Sequence, residues 1–355
     1  MDITLISCLT SNCGIGRYTE QLANSIFTQN QNIKLYRKNA GNKDYIHSFK
    51  YRSFRNLKHL VAPYYLKNAI SKVESQVWHA DNIDAFAALT WADKKSDSIK
   101  IVSVLDAIPL MYPHINWWDT RAFKYQLKQV AKKADTIITV SQTSKKDLAE
   151  KAGLNPEKIE VVYNGINHEL LYPQKKKIQH KRFNISYIGG LGAVHKNAVA
   201  LIETAKELKE RGFDFDLEIG SGVAQYTELP ALTKKYQLEN HIHFKGFIPD
   251  AQLQSFLSEA DVLLYASIFV GFCFPPLEAM ICCNAVVSSI TVSLNEILLK
   301  GALLTSPNAS DFADAIISIA SNNQLKSKLE KEAIAHAKTF SWEKTAEKML
   351  KIYRA

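Results

Sequence analysis

The segment Asp261 to Met280, DVLLYASIFVGFCFPPLEAM, sets a strand pattern, a glycine-containing turn and a helix start in succession, and the spacing predicts one acid, Glu278, inside the first turn of that helix. An open helix N-terminus presents unpaired backbone N–H groups and a partial positive charge, so the arrangement suits an anionic group such as a diphosphate. Glu278 could then accept hydrogen bonds from ribose hydroxyls. Acids also gather at helix starts for dipole reasons alone, and residue type and spacing leave both readings open.

Four further groups of residues bear on chemistry. Gly14-Ile15-Gly16 follows the strand pattern ITLIS, and by itself a lone glycine pair there reads as a turn into a helix. Asp214-Phe215-Asp216 has the form of a metal-binding acid pair, but it opens a strand pattern that puts both acids on one face with nothing to bring a diphosphate near, so no metal site is expected there. His79 in WHADN and His114 in YPHINWW are each read first as structural or surface histidines. The five cysteines, Cys8, Cys13, Cys273, Cys282 and Cys283, have no metal-ligand spacing and read as free thiols, with Cys273 the one to watch.

The elements that would position these residues alternate along the whole chain. Strand patterns at 3–7, 100–106, 136–141 and 158–164 are separated by helical ones such as 17–28, 120–134 and 143–152. A polar, basic stretch at 172–182 looks like a linker, after which strands at 183–189, 214–220, 241–246, 261–266 and 285–289 form a second series, with a helix over 197–211. This is the pattern of two doubly wound parallel sheets, with ligands expected at the carboxyl ends of the strands. The domains are expected at 1–173 and 183–340, with a linker over 174–182 and a closing helix, 341–355, packed back on the first. At 355 residues and 46% hydrophobic content, the chain is long enough for two cores.

Uncharged runs of sixteen and seventeen residues flank Glu278, but that acid and the Pro275-Pro276 pair argue against a membrane span. Met1-Asp2 leads directly into ITLIS without a basic n-region, so a cytoplasmic location is expected. The net charge of +9 is concentrated between Lys34 and Lys72, which hold ten Lys or Arg against a single acid, Asp44, among Tyr36, Tyr45, Phe49, Tyr51, Phe54, Tyr64 and Tyr65. Basic and aromatic residues so mixed suit an anionic membrane surface or a lipid-linked phosphate; a solvated basic loop is the plainer reading, and no nucleic-acid motif accompanies it.

With these segments in place, the chain resembles the retaining nucleotide-sugar glycosyltransferases of family 4, which have the GT-B fold: α/β, two Rossmann-like doubly wound parallel-sheet domains facing a central cleft. The phrases GIGRYTEQL, DAIPLMYP, ADTIITVSQTSKKDL, VVYNGIN, YIGGLGAVHKN, FKGFIPDAQLQSFLSEADVLLY, FVGFCFPPLEAM and FSWE carry the likeness by their order and spacing. The resemblance implies backbone approach to donor phosphate or acceptor at Gly14 and Gly16, a donor contact at Gly189, and Lys196 as the cation that neutralises the leaving diphosphate. It further implies the nucleotide base near Phe247 and Ile248, a backbone-rich loop at Gly271, Phe272, Cys273, Phe274 and Pro275, and Glu278 on the ribose.

Three positions depart from the family pattern. Val270 stands where the first acid of an E-x7-E pair is usual, Leu105-Asp106 where a His-Asp is usual, and Gly190 where an arginine is frequent. Asp106 remains a candidate catalytic residue beside Lys196. The expected function is transfer of a hexose, such as mannose, from a nucleoside diphosphate sugar to a glycan or lipid-linked acceptor with retention, in surface polysaccharide or glycolipid synthesis. No cofactor or metal is expected, and no nucleic-acid partner. The alternative is a catalytically impaired relative that binds nucleotide or glycan. A Rossmann-type oxidoreductase is disfavoured, because no G-x-G-x-x-G follows the first strand.

Overall fold

The computed structural model describes residues 1–10, 13–29, 31–38, 43–50, 58–92, 97–112, 117–174, 181–222 and 227–355. His114 and most of the expected linker lie outside the described residues. The chain divides into two compact units, Met1–Gly165 together with Trp342–Ala355, and Ile166–Ser341.

The first unit is built on strands β1 (Asp2–Ile6), β2 (Asn32–Lys38), β3 (Ile46–Phe49), β4 (Val77–Ala80), β5 (Ile99–Ser103), β6 (Thr136–Thr139) and β7 (Ile159–Val161), paired in the order β3-β2-β1-β4-β5-β6-β7 with every pairing parallel. The order reverses between β1 and β4, so their carboxyl ends flank the crevice where open α/β sheets bind ligands. Helices Gly14–Thr28 and Ile83–Trp91 leave from those two ends.

β2 and β3 fall inside the stretch read from sequence as a basic, aromatic segment, which is therefore partly interior. Ile33 and Leu35 alternate inward on β2, and Tyr45 and Phe49 are buried. Arg37 is buried too, with Nη1 donating to Glu20 Oε2 at 3.0 Å. Among the described residues, Leu60, Tyr64 and Tyr65 on the helix Lys58–Ile70 face solvent, whereas Ala62, Leu66 and Ile70 of the same helix are buried.

The second unit carries β8 (Phe183–Ile188), β9 (Phe215–Gly220), β10 (Ile242–Gly246), β11 (Val262–Tyr265), β12 (Ala285–Ser289) and β13 (Leu303–Thr305), again all parallel, in the order β10-β9-β8-β11-β12-β13. Its central strands are covered on both faces. Along β11, Val262 and Leu264 enter one apolar cluster, whereas Leu263 and Tyr265 enter another. This two-sided burial is why the flanking sequence runs uncharged for so long without spanning a membrane; no described helix is long and apolar enough to cross one.

Leu299 closes the helix Val292–Leu298 with φ 44° and ψ −125°, a conformation that glycine reaches without steric cost, and its side chain is exposed. Relief of that backbone strain should outweigh the added entropy of glycine in the unfolded chain. Leu299→Gly is expected to stabilise the protein by about 1 kcal/mol, read as a higher denaturant midpoint at constant m-value; an unchanged or lower midpoint would mean the backbone there is unstrained.

Candidate functional site

In the second sheet the order reverses between β8 and β11, and the loops that leave these two strands are tied to each other. Ile268 N donates to His195 O at 2.9 Å. The β8 loop runs through Gly189 to the 3-10 turn Val194–Lys196, after which Asn197 takes a left-handed conformation and the helix Val199–Glu210 begins. The β11 loop runs through Val270, Gly271 and Phe272 to Cys273, the N-cap of the helix Phe274–Ile281. Lys196 is half-buried, and its charge acts on the fully buried Cys273 thiol, which burial nonetheless pushes well above the ordinary thiol range. A thiol held neutral in this way is no nucleophile.

Glu278 lies deeper than the sequence suggested. The helix starts at Phe274, so Glu278 is in its second turn, with no acid in the first, and it is 5% exposed. Its charge acts on Tyr265, which also senses Cys273, Ser267 and Tyr187; burial is the main cause that pushes this phenol up. Lys196 and Glu278 thus act electrostatically on buried groups of the same unit, Lys196 on Cys273 and Glu278 on Tyr265. The double proline also changes the anion-binding argument. Of the four amides that a helix start leaves open, the two at Pro275 and Pro276 do not exist, which leaves those of Cys273 and Phe274, and the Cys273 amide also reaches its own thiol.

Glycines line the same edge. Gly189 has φ 149° and donates its N–H to Gly220 O at 3.2 Å. A Cβ on Gly220 would come within 2.8 Å of Ile248 Cγ1, and one on Gly222 within 3.3 Å of Phe247 Cβ, so both glycines let the loop after β10 close onto the end of β9. Phe247 then stands 65% exposed, a free aromatic face, while Ile248 is half-buried beneath. Val270 is only 2% exposed inside the cluster of Leu263, Leu277 and Leu294, and Phe272 packs edge-on against Phe274 and Phe340.

Gly14, Gly16 and Asp106 belong to the first unit. Gly14 is the first residue of its helix and Gly16 is buried two residues on, where its N–H donates to Cys13 Sγ at 3.4 Å. Asp106 Oδ1 accepts from Ile108 N at 3.0 Å, a local turn bond. His79 is structural: it is fully buried between Tyr353 OH (2.7 Å) and Ser103 Oγ (2.8 Å), and burial pushes its pKa down to about 3, so the ring stays neutral. It anchors the closing helix Trp342–Arg354 to the first sheet. Asp214 and Asp216 both pair with Arg182, at 2.9 and 3.3 Å, and His243 adds to Asp216 at 3.0 Å, so that acid pair is an ion-pair cluster.

Sequence reasoning passed over Asp81. It immediately follows β4, fully buried, and burial pushes its carboxyl up to about 7. An acid two residues after His79 in a strand-to-helix turn was the available signal.

Two all-parallel α/β units, each with a switch-point crevice, fit the GT-B architecture, and two glycosyltransferase family models that together span residues 14–336 show that the chain belongs to the GT-B glycosyltransferases. Residues 14–170 match the model of Glycosyltransferase Family 4 and residues 170–336 that of glycosyl transferases group 1. The O-antigen chain mannosyltransferase RfbU of Salmonella typhimurium is 29% identical over 210 residues, 58% of this chain and 56% of that protein. The matched part therefore spans just over half of this relative.

Among solved structures, sucrose-phosphate synthase from Thermosynechococcus elongatus superposes with a TM-score of 0.84 at 17% identity, covering 100% of this chain and 98% of that one. Anabaena HepE in complex with UDP-glucose superposes at 0.81 and 16% identity, covering 99% of each. At these identities the likeness is one of fold.

Proposed function

We propose that the protein is a retaining hexosyltransferase that moves a sugar, with mannose the first to test, from a nucleoside diphosphate donor to a glycan or lipid-linked acceptor in surface polysaccharide or glycolipid synthesis. The observation that carries this reading is the tie between the β8 and β11 loops, which sets Lys196 beside Cys273 at the start of the helix that bears Glu278.

In this reading Lys196 and the amides of Cys273 and Phe274 stabilise charge on the departing diphosphate, Glu278 accepts from the ribose, and the base stacks on Phe247. Gly189 and Gly271 let backbone approach the phosphates and sugar. Such a reaction asks the protein chiefly for positioning and for stabilisation of the leaving group, which these residues supply without a metal. Gly14, Gly16 and Asp106 serve the acceptor side. The sugar-binding acid and the imidazole of the family pattern are replaced by Val270 and Leu105, so neither position offers the sugar a carboxylate or an imidazole. The mannosyltransferase name of the relative supports the donor class and does not favour the binding-only alternative.

The test is incubation of the purified protein with UDP, GDP and ADP sugars and candidate acceptors, reading nucleoside diphosphate release and product anomer. Silence across a broad panel sinks the reading; an inverted product sinks retention.

A lipid-linked acceptor calls for attachment at a membrane, and the helix Lys58–Ile70 offers a face for it: Leu60 and Tyr64 lie one turn apart with Tyr65 beside them, and Lys67 follows. The triple variant Leu60→Ser, Tyr64→Ser, Tyr65→Ser is expected to lose most of its cosedimentation with acidic liposomes, at least tenfold in partition at low salt, while its unfolding midpoint stays within a degree or two. Binding by the triple variant equal to that of the wild type would remove this helix from the membrane contact.

A further inference from the structure

Asp81 sits at the switch point of the first sheet, where its N–H donates to Ile6 O at 3.0 Å, and it is completely buried. Its Oδ2 lies 2.7 Å from Thr19 Oγ1, and that same hydroxyl oxygen lies 2.9 Å from Ile15 O, the carbonyl between Gly14 and Gly16. A hydroxyl has one proton, so Thr19 cannot donate fully to both. If the carboxyl carries a proton of its own, Asp81 donates to Thr19 and Thr19 donates to Ile15, and both contacts become complete hydrogen bonds. The other carboxyl oxygen, Oδ1, is buried and, among the described residues, makes no hydrogen bond of normal geometry, although the Ser7 hydroxyl acts on the carboxyl from nearby; a charged carboxylate tolerates such sparse pairing far less well than a neutral acid.

The charged surroundings do not reverse this. Arg37, on β2, attracts the ionised form, but its guanidinium is already paired with Glu20 from the helix Gly14–Thr28. Asp84, on the helix Ile83–Trp91, opposes ionisation and itself accepts from Gln126 at 2.8 Å. Cys8 and Tyr18, the other ionisable neighbours, are buried and pushed upward, so both stay neutral. Burial is the leading cause of the Asp81 shift to about 7; Ser7 and Thr19 hydroxyls pull against it.

We propose that Asp81 is a protonated acid that positions the start of the helix Gly14–Thr28, and with it the Gly14–Gly16 backbone, through the chain Asp81–Thr19–Ile15. The part concerning substrate rests on the reading of Gly14 and Gly16 given above; the protonation does not. Because the folded-state pKa is raised, the contribution is present in full at low pH and is lost as pH rises through about 7.

The experiment is hydrogen exchange on the intact protein between pH 6 and 8.5, expressed as protection factors so that intrinsic pH dependence cancels, with the helix Gln142–Ala152 as internal reference. Wild-type protection over residues 15–22 is expected to fall about tenfold relative to that reference. In Asp81→Asn, whose amide donates at every pH, it should stay level, and in Asp81→Val it should be low throughout. A wild type without pH dependence, or an Asp81→Asn protein that loses protection in parallel with it, overturns the protonation.

The acceptor KM should rise over the same interval in the wild type and remain constant in Asp81→Asn while kcat holds. Exchange that behaves as stated with an acceptor KM indifferent to pH in both proteins overturns the positioning role. Absence of turnover in both proteins at every pH counts against the transferase reading, and the exchange result then decides the protonation alone.

Discussion

Lys196→Ala is expected to lower turnover of the nucleotide sugar by about 10²- to 10³-fold, the usual cost of deleting one preorganised charge-stabilising group. The size of the effect follows from what else the site lacks. Two prolines delete half of the open amides at the start of the helix Phe274–Ile281, so in the proposed reaction more of the leaving-group charge falls to Lys196. The lysine is half-buried in a turn held by the Ile268–His195 hydrogen bond, a bond between backbone atoms that the substitution leaves intact. Stability should therefore hardly change, and single-turnover release of nucleoside diphosphate measures the loss directly. Lys196→Arg, which keeps the charge but not the ammonium geometry, should recover part of the rate. A Lys196→Ala protein within threefold of the wild type would remove this side chain from the leaving-group site.

Val270→Glu is expected to destabilise the protein by about 3–5 kcal/mol at neutral pH and to bring no gain in turnover. Judged from the family pattern alone, restoring the acid should help, since a carboxylate there would hold a sugar hydroxyl. In the folded chain, however, Val270 is packed among Leu263, Leu277 and Leu294, so an ionised side chain would be dehydrated without a partner. The sign of its pH dependence is a check. A buried glutamate has a raised pKa, so the penalty operates above that pKa and shrinks as pH falls and the acid becomes neutral. Denaturant midpoints at pH 7 and pH 5 should converge toward the wild type at the lower value. An unchanged midpoint accompanied by faster turnover would show that residue 270 faces the donor instead.

Much of the second unit was legible because its signals are local. The strands predicted at 183–189, 214–220, 241–246, 261–266 and 285–289 each contain an observed strand, shorter by two residues at most, because short apolar runs between turn residues carry their own period. In the first unit β2, β3 and β4 went unread. On β2 the alternation Ile33, Leu35, Arg37 is visible in retrospect, but its inward third member is an arginine, and lysines on the outer face make the segment read as a charged loop. β4 is four residues long and drew notice only for His79.

Residue type and order by themselves determined that this chain forms two parallel-sheet α/β units with glycines, a lysine and an acid at strand ends, because side-chain period, turn chemistry and motif spacing are properties of neighbouring residues. Only the tertiary structure decided which polar groups are tools and which are mortar. It retired His79 to a buried hydrogen-bond network, moved Glu278 to the second turn of its helix, turned Val270 into core, and brought Asp81 beneath the Gly14–Gly16 backbone. These outcomes depend on desolvation and on partners 62 positions away, as for Asp81 and Thr19, or 274 away, as for His79 and Tyr353. A local pattern holds no information about how much water such a group will keep once distant segments have packed around it.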